Sequence, residues 1–105
     1  MINAFDIALV SLDPTIGSEI QKIRPCIVIS PDSMNKYLRT VIIAPMTSKG
    51  TNAAFRVPVT WNDVEGLILL DQIRAIDKRR IVKSLGHIDK KTSGLVSDRL
   101  IEMFS

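Results

Sequence analysis

Two segments of the chain set chemically capable polar residues directly against apolar runs. In "LDPTIGSEIQKIRP", Leu12 to Pro25, the carboxylate of Glu19 and the guanidinium of Arg24 stand five positions apart, just ahead of the run "PCIVIS". In "APMTSKG", Ala44 to Gly50, the hydroxyls of Thr47 and Ser48 follow the run "TVIIAP", with Lys49 beside them. A third polar pair, Asp71-Gln72, closes the run "GLILL". A guanidinium with neighbouring hydroxyls suits a phosphate, because the planar fork of arginine meets two oxygens at once and a hydroxyl adds a further donor. A carboxylate within reach is a candidate for moving a proton. Taken singly, each feature also has a plainer reading: Glu19 and Arg24 as a surface ion pair, Thr47 as a turn residue, Asp71 as an acceptor in a bulge or loop.

Other chemistries find little support. The single histidine, His87, and the single cysteine, Cys26, lie far apart and cannot supply a closed zinc site, and no EF-hand-like spacing of carboxylates occurs. No bound metal and no cofactor is expected. There is no glycine-rich phosphate loop and no G-x-S-x-G elbow, and His87 in "LGHID" has no nucleophile near it in sequence, so it reads as a turn or surface residue. Cys26 lies inside an apolar run and reads as a small buried hydrophobe, which fits a reducing compartment. Fourteen Lys and Arg against eleven Asp and Glu give a formal charge of +3, which permits contact with a polyanion without demanding it. Lys49, Arg56, Lys78, Arg79 and Arg80 are candidates for phosphate contacts, although "DKRR" reads equally well as a solvated strand end.

These residues need elements to position them. The length of 105 residues and 46% hydrophobic content predict one globular domain spanning 1–105. Its apolar runs are far too short to cross a bilayer, and "MINAFDIALVSLDP" carries an acidic residue where a signal peptide would be basic; no membrane association and a cytoplasmic location are expected. Strand signals dominate: Asp6 to Leu12, "PCIVIS" and "TVIIAP" come first, followed by "AFRVPVT", whose Pro58 favours an edge strand or bulge. After the turn-like "TWNDVEG", the stretch "GLILLDQIRAID" reads as an internal strand that alternates in its later part, and "KRRIVKSLGHI" as a further strand with Ile81 and Leu85 inward. From Asp89 the period becomes helical. Val96, Leu100, Met103 and Phe104 recur on one face, with Asp89 or Ser93 able to cap the start. The expected fold class is mainly β, a strongly bent antiparallel sheet or open barrel with a short C-terminal α-helix.

In this order, "LDPTIGSEIQKIRPCIVISPD", "VIIAPMTSK", "FRVPV" and "GLILLDQIRAIDKRR" resemble the successive signature segments of the MazF/PemK (Kid) toxins of type II toxin–antitoxin systems. The resemblance runs from Asp6 to about Phe104, and its most specific part is G-S-E followed by R-P. It implies an SH3-like, PemK-like β-barrel, a homodimer, and metal-independent, sequence-specific cleavage of single-stranded RNA, with a cognate MazE-like antitoxin as partner. By the same resemblance the catalytic arginine falls on Arg24, its hydroxyl partner on Thr47 and the sensitive loop glutamate on Glu19. Asp71, with Ser48 and Gln72, becomes a further catalytic or RNA-binding candidate, and Lys49, Arg56, Arg79 and Arg80 candidates for binding RNA. Leu69 stands where the Kid-like branch has a basic residue, two positions before Asp71, so Arg24 and Thr47 carry more weight than Asp71.

Metal-free RNA cleavage uses the neighbouring 2′-hydroxyl as nucleophile and leaves 2′,3′-cyclic phosphate and 5′-hydroxyl ends. The protein must then place the phosphate and stabilise the charge that grows on its oxygens. Pro25 restricts Arg24 to an extended conformation, and the strand behind it anchors the backbone. A guanidinium is a poor base and Glu19 is the conventional candidate for proton acceptor, whereas the resemblance implies that Arg24 serves in both roles. Two other classes stand beside this one. A non-catalytic RNA- or protein-binding barrel, in effect a degenerate toxin, would share the β pattern but need not keep Glu19, Arg24 and Thr47 together. A role in DNA topology would call for a base-reading element such as a recognition helix, which the sequence does not offer.

Overall fold

Strand register explains why several runs are apolar throughout. The computed structural model describes residues 1–13, 16–19 and 22–105. Among these, the strands are β1 (Asp6–Ser11), β2 (Ile23–Val28), β3 (Thr40–Thr47), β4 (Arg56–Trp61), β5 (Val64–Leu69), β6 (Arg74–Asp77) and β7 (Ile81–His87), with helices α1 (Asp32–Asn35) and α2 (Lys90–Phe104). The strands pair antiparallel in the order β4-β5-β3-β2-β1-β7, and β6 also pairs with β3. Successive strand residues point to opposite faces. Ile27 accordingly packs with Ile7, Ala44 and Val96 on one side of the sheet, while Cys26 and Val28 pack with Ala8, Val10 and Val41 on the other. Both faces of β2 are covered, so its run needs no polar alternation. The first face lies under α2. The second is filled by β1, β2, β3 and β6 packing on one another, which requires the sheet to curl into a small barrel.

The edges and caps follow local chemistry. β4 lies at one end of the strand order, the edge position that Pro58 favours. Its hairpin to β5 turns on Asn62 and Asp63 alone, both at positive φ (50° and 61°), as a two-residue primed turn requires; the flanking residues of "TWNDVEG" belong to the strands. Asp89 caps α2, its Oδ1 accepting the Thr92 N–H at 2.7 Å. Val96 is buried, and Leu95, Leu100 and Met103 pack on the same cluster. Phe104 departs from the expected stripe: it follows Met103 by one position, a rotation of about 100° around the helix, and is 72% exposed.

Two further features depart from the sequence reading, beside the start of "KRRIVKSLGHI", where Lys78–Arg80 form a 3-10 turn and the strand begins only at Ile81. "GLILLDQIRAID" is two strands, β5 and β6, separated by a 3-10 turn at Leu70–Gln72. Both lie along β3, with β5 opposite Met46 and Thr47 and β6 opposite Thr40 to Ile43. The break lets one segment follow a bent strand past Ala44 and Pro45, and it turns Asp71 and Gln72 out of the ladder. The second is α1, which is held by buried polar residues: Ser30 Oγ donates to Asn35 Oδ1 at 2.5 Å and accepts the Ile42 N–H at 3.0 Å, and Asn35 Nδ2 donates to the Ser30 carbonyl at 2.9 Å. No helix among the described residues is long and apolar enough to cross a membrane.

Candidate active site

Arg24 and Thr47 occupy the adjoining ends of β2 and β3. The β2–β3 register ends with Cys26 opposite Pro45, and Arg24 and Thr47 each lie two residues beyond that pair, lining one cavity. The chain enters β2 through Lys22, whose φ of 71° is left-handed. Its N–H donates to Asp13 Oδ1 at 2.8 Å and its carbonyl accepts the Leu12 N–H at 2.9 Å. Two more guanidiniums fix the root of the same loop: Arg74 Nη1 donates to the Leu12 carbonyl at 3.4 Å, and Arg80 Nη1 to the carbonyls of Ser11 (3.2 Å) and Asp13 (2.6 Å). The loop expected to carry Glu19 to the site thus departs from a clamped base. Pro14, Thr15, Ile20 and Gln21, with the turn signal at Asp13-Pro14, lie outside the described residues.

A cavity of about 320 Å³ is lined by Arg24, Thr47 and Ser48, with Met46, Val59 and Trp61 as apolar walls. A larger one of about 640 Å³ shares Thr47, Ser48, Val59, Glu65 and Gly66 with it and extends to Lys91 and Thr92 of α2. Both cavities border Thr47, and the first, which Arg24 lines, is the candidate groove. This polar rim over apolar walls is the usual composition of a ligand cleft. Thr47 is nearly buried. Its Oγ1 accepts the Lys49 N–H at 3.1 Å and donates to the Lys49 carbonyl at 2.6 Å, closing a tight turn. A hydroxyl rotates freely, so Thr47 can redirect its proton to a bound phosphate oxygen while still accepting from Lys49. Gly66 makes the close approach possible: a Cβ there would lie 2.7 Å from the Thr47 carbonyl oxygen.

The other candidates are distributed differently. Glu19, Asp71 and Gln72 line a separate cavity of about 250 Å³ with Leu12, Pro45 and Arg74. The Glu19 carboxylate is engaged in its own turn, with Oε1 accepting the Ile16 N–H at 3.0 Å. Asp71 is gripped at both oxygens by Arg56, from Nε at 3.2 Å and Nη2 at 3.0 Å; hydrogen bonding to Asp71 pushes the Arg56 guanidinium pKa further up. Arg79 pairs with Asp77 at 3.0 Å and lies beside the opposite end of β3, where Thr40 faces Asp77. Cys26 is buried between strands, and burial pushes its thiol up to about 12 although the charges of Arg74 and Arg24 oppose this. Among the described residues no three His, Cys, Asp or Glu side chains converge as a metal site would require. Sequence reasoning missed Trp61 as a wall of the groove. Its signal was present as a lone tryptophan beside the Asn-Asp turn.

The family model described as PemK-like, MazF-like toxin of type II toxin-antitoxin system matches residues 3–104. The endoribonuclease MazF of Staphylococcus saprophyticus is 36% identical, the match covering 87% of this chain and 81% of that protein. Among solved structures, MazF from Deinococcus radiodurans superposes with a TM-score of 0.86 at 25% identity, covering 98% of this chain and 96% of that one. An endoribonuclease in complex with its cognate antitoxin, from a mycobacterial species, gives a TM-score of 0.83 at 15% identity over 99% and 95% of the two chains, a likeness of fold.

Proposed function

The chain belongs to the family of PemK-like, MazF-like toxins of type II toxin-antitoxin systems, and from that premise we propose that it is an endoribonuclease that cuts single-stranded RNA by attack of the 2′-hydroxyl on the adjacent phosphate. The observation that carries this reading is the placement of Arg24 and Thr47 in one groove at adjoining strand ends. In the reaction the 2′-oxygen bonds to phosphorus and the bond to the 5′-oxygen breaks. The 2′-proton passes to water, the departing 5′-oxygen takes a proton from water, and the products are a 2′,3′-cyclic phosphate and a 5′-hydroxyl. Arg24 meets the phosphate oxygens as their charge grows, and Thr47 adds a neutral donor. Apolar walls at Met46, Val59 and Trp61 suit the face of a base beside that phosphate. Glu19 stands in a different cavity with its carboxylate bonded to its own loop, which supports resting the function on charge stabilisation by Arg24 and Thr47.

The reading extends to partners. The protein acts in the cytoplasm as a homodimer, and a separate antitoxin chain with an acidic, flexible segment competes with RNA for the groove. The 65% exposed Ile101 and 72% exposed Phe104 on the last turn of α2 offer apolar surface to a second chain. The test is incubation of the purified protein with mixed-sequence RNA in EDTA. Cleavage in single-stranded segments, with hairpin stems spared, is the expected result, since A-form stacking restrains the in-line geometry. A requirement for added magnesium contradicts the mechanism, and binding without cleavage supports a non-catalytic barrel instead.

A further inference from the structure

Arg56 touches three parts of the molecule at once. It opens β4, its Nε and Nη2 hold both oxygens of Asp71 at the break between β5 and β6, and its Nη1 donates to the Thr51 carbonyl at 3.1 Å. Thr51 lies in the loop of residues 48–55, which begins with Ser48 at the groove. The inner part of that loop passes close to Thr47 and the same guanidinium: a Cβ on Gly50 would stand 3.3 Å from Thr47 Cγ2 and 3.8 Å from Arg56 Nη1. The Arg56 side chain is 22% exposed and that of Asp71 is 40%. Its donors are directed at the protein's own carboxylate and carbonyl, an arrangement that fixes geometry in place of offering a fork to solvent.

We propose that Arg56 and Asp71 are positioning residues, a tether that sets the 48–55 loop and with it Thr47 and Ser48, so that Arg56 binds no phosphate and Asp71 transfers no proton. This rests on the ribonuclease reading of the groove. Its physical content is that the two side chains act as one unit: without Asp71 the guanidinium is no longer aimed at Thr51, and without Arg56 the carboxylate has nothing to hold. Effects of removing either should coincide and should not add. They should fall on the chemical step, because a misplaced Thr47 weakens transition-state stabilisation while leaving substrate affinity largely intact.

The experiment compares Arg56→Gln, Asp71→Asn and the double variant, with circular dichroism to establish folding. The expected result is a fall in kcat of about 10- to 100-fold in each single variant, the same fall in the double, and little change in KM. The pH dependence of kcat should be the same in Asp71→Asn as in wild type. A second readout needs no RNA. Trp61 is the only tryptophan and shares its cavity with Ser48, so all three variants should show the same rise in acrylamide quenching over wild type. If wild type fails to cleave RNA, the ribonuclease reading fails while the quenching data still judge the tether. A raised KM with a shallower salt dependence in Arg56→Gln, a pH profile altered from wild type or a far larger loss in Asp71→Asn, additive effects in the double variant, or unchanged quenching would each overturn the proposal.

Discussion

Arg24 shows how one residue is made useful by its neighbours. Pro25 limits its backbone, the left-handed Lys22 turns the chain into the strand, and the buried Cys26 and Ile27 anchor the rest of β2 in the core. Replacing Arg24 with Ala should reduce cleavage by about 100- to 1,000-fold, the usual cost of losing a donor to developing charge, with an unchanged circular dichroism spectrum. Near-normal turnover by that variant would remove Arg24 from the site. Cys26 gives a pH prediction with a definite sign. Burial raises its thiol from an ordinary 9.0 to about 12, so the unfolded chain loses this proton before the folded one does. The associated stability is fully present below about pH 9 and is lost as pH rises towards 12. Urea midpoints at pH 8 and at pH 10.5 should therefore fall further apart for wild type than for Cys26→Ala; an equal fall in both would show that the thiol titrates normally.

At the scale of elements, the groove depends on how closely β5 approaches the end of β3. Gly66→Ala should cost about 1–3 kcal/mol through overpacking and reduce cleavage by up to about 100-fold through displacement of Thr47. Gly94→Ala is the matched control: a Cβ there meets nothing within 4 Å, and a helix interior gains about 0.5–1 kcal/mol from the change. Melting temperatures and rates for the two variants should thus move apart, and a silent Gly66→Ala would mean that the strands yield. Much at this level was legible in the sequence because it follows from local chemistry: Pro58 on an edge, Asp89 as a cap, and the helical period of Val96, Leu100 and Met103. The break at Leu70–Gln72 was not, because an apolar run followed by an alternating one reads as a single strand until its partner, bent β3, is known. The bridging of Arg56 to Asp71 and the separation of Glu19 from Arg24 likewise depend on pairing across the sheet, which spacing along the chain does not encode.

For the molecule as a whole, charge and position separate two kinds of arginine. Arg80 is engaged with the backbone at the root of the Glu19 loop, whereas Arg79 is 90% exposed and sits by the end of β3 remote from Thr47. On a short non-cleavable strand that fills only the groove, Arg79→Ala should leave the salt dependence of binding unchanged. On a long strand it should lower the slope by about one contact. A slope unchanged from wild type on both strands would exclude Arg79 from the RNA footprint. The central claim, that this fold cleaves RNA through the substrate's own 2′-hydroxyl with Arg24 and Thr47 at the phosphate, is tested most directly by the chemistry of the new ends. Mass spectrometry of fragments from a defined single-stranded RNA, cut in EDTA, should show a 2′,3′-cyclic phosphate on the upstream piece and a 5′-hydroxyl on the downstream one. A 5′-phosphate with a free 3′-hydroxyl would mean that water, and not the 2′-oxygen, is the nucleophile, and would contradict the account.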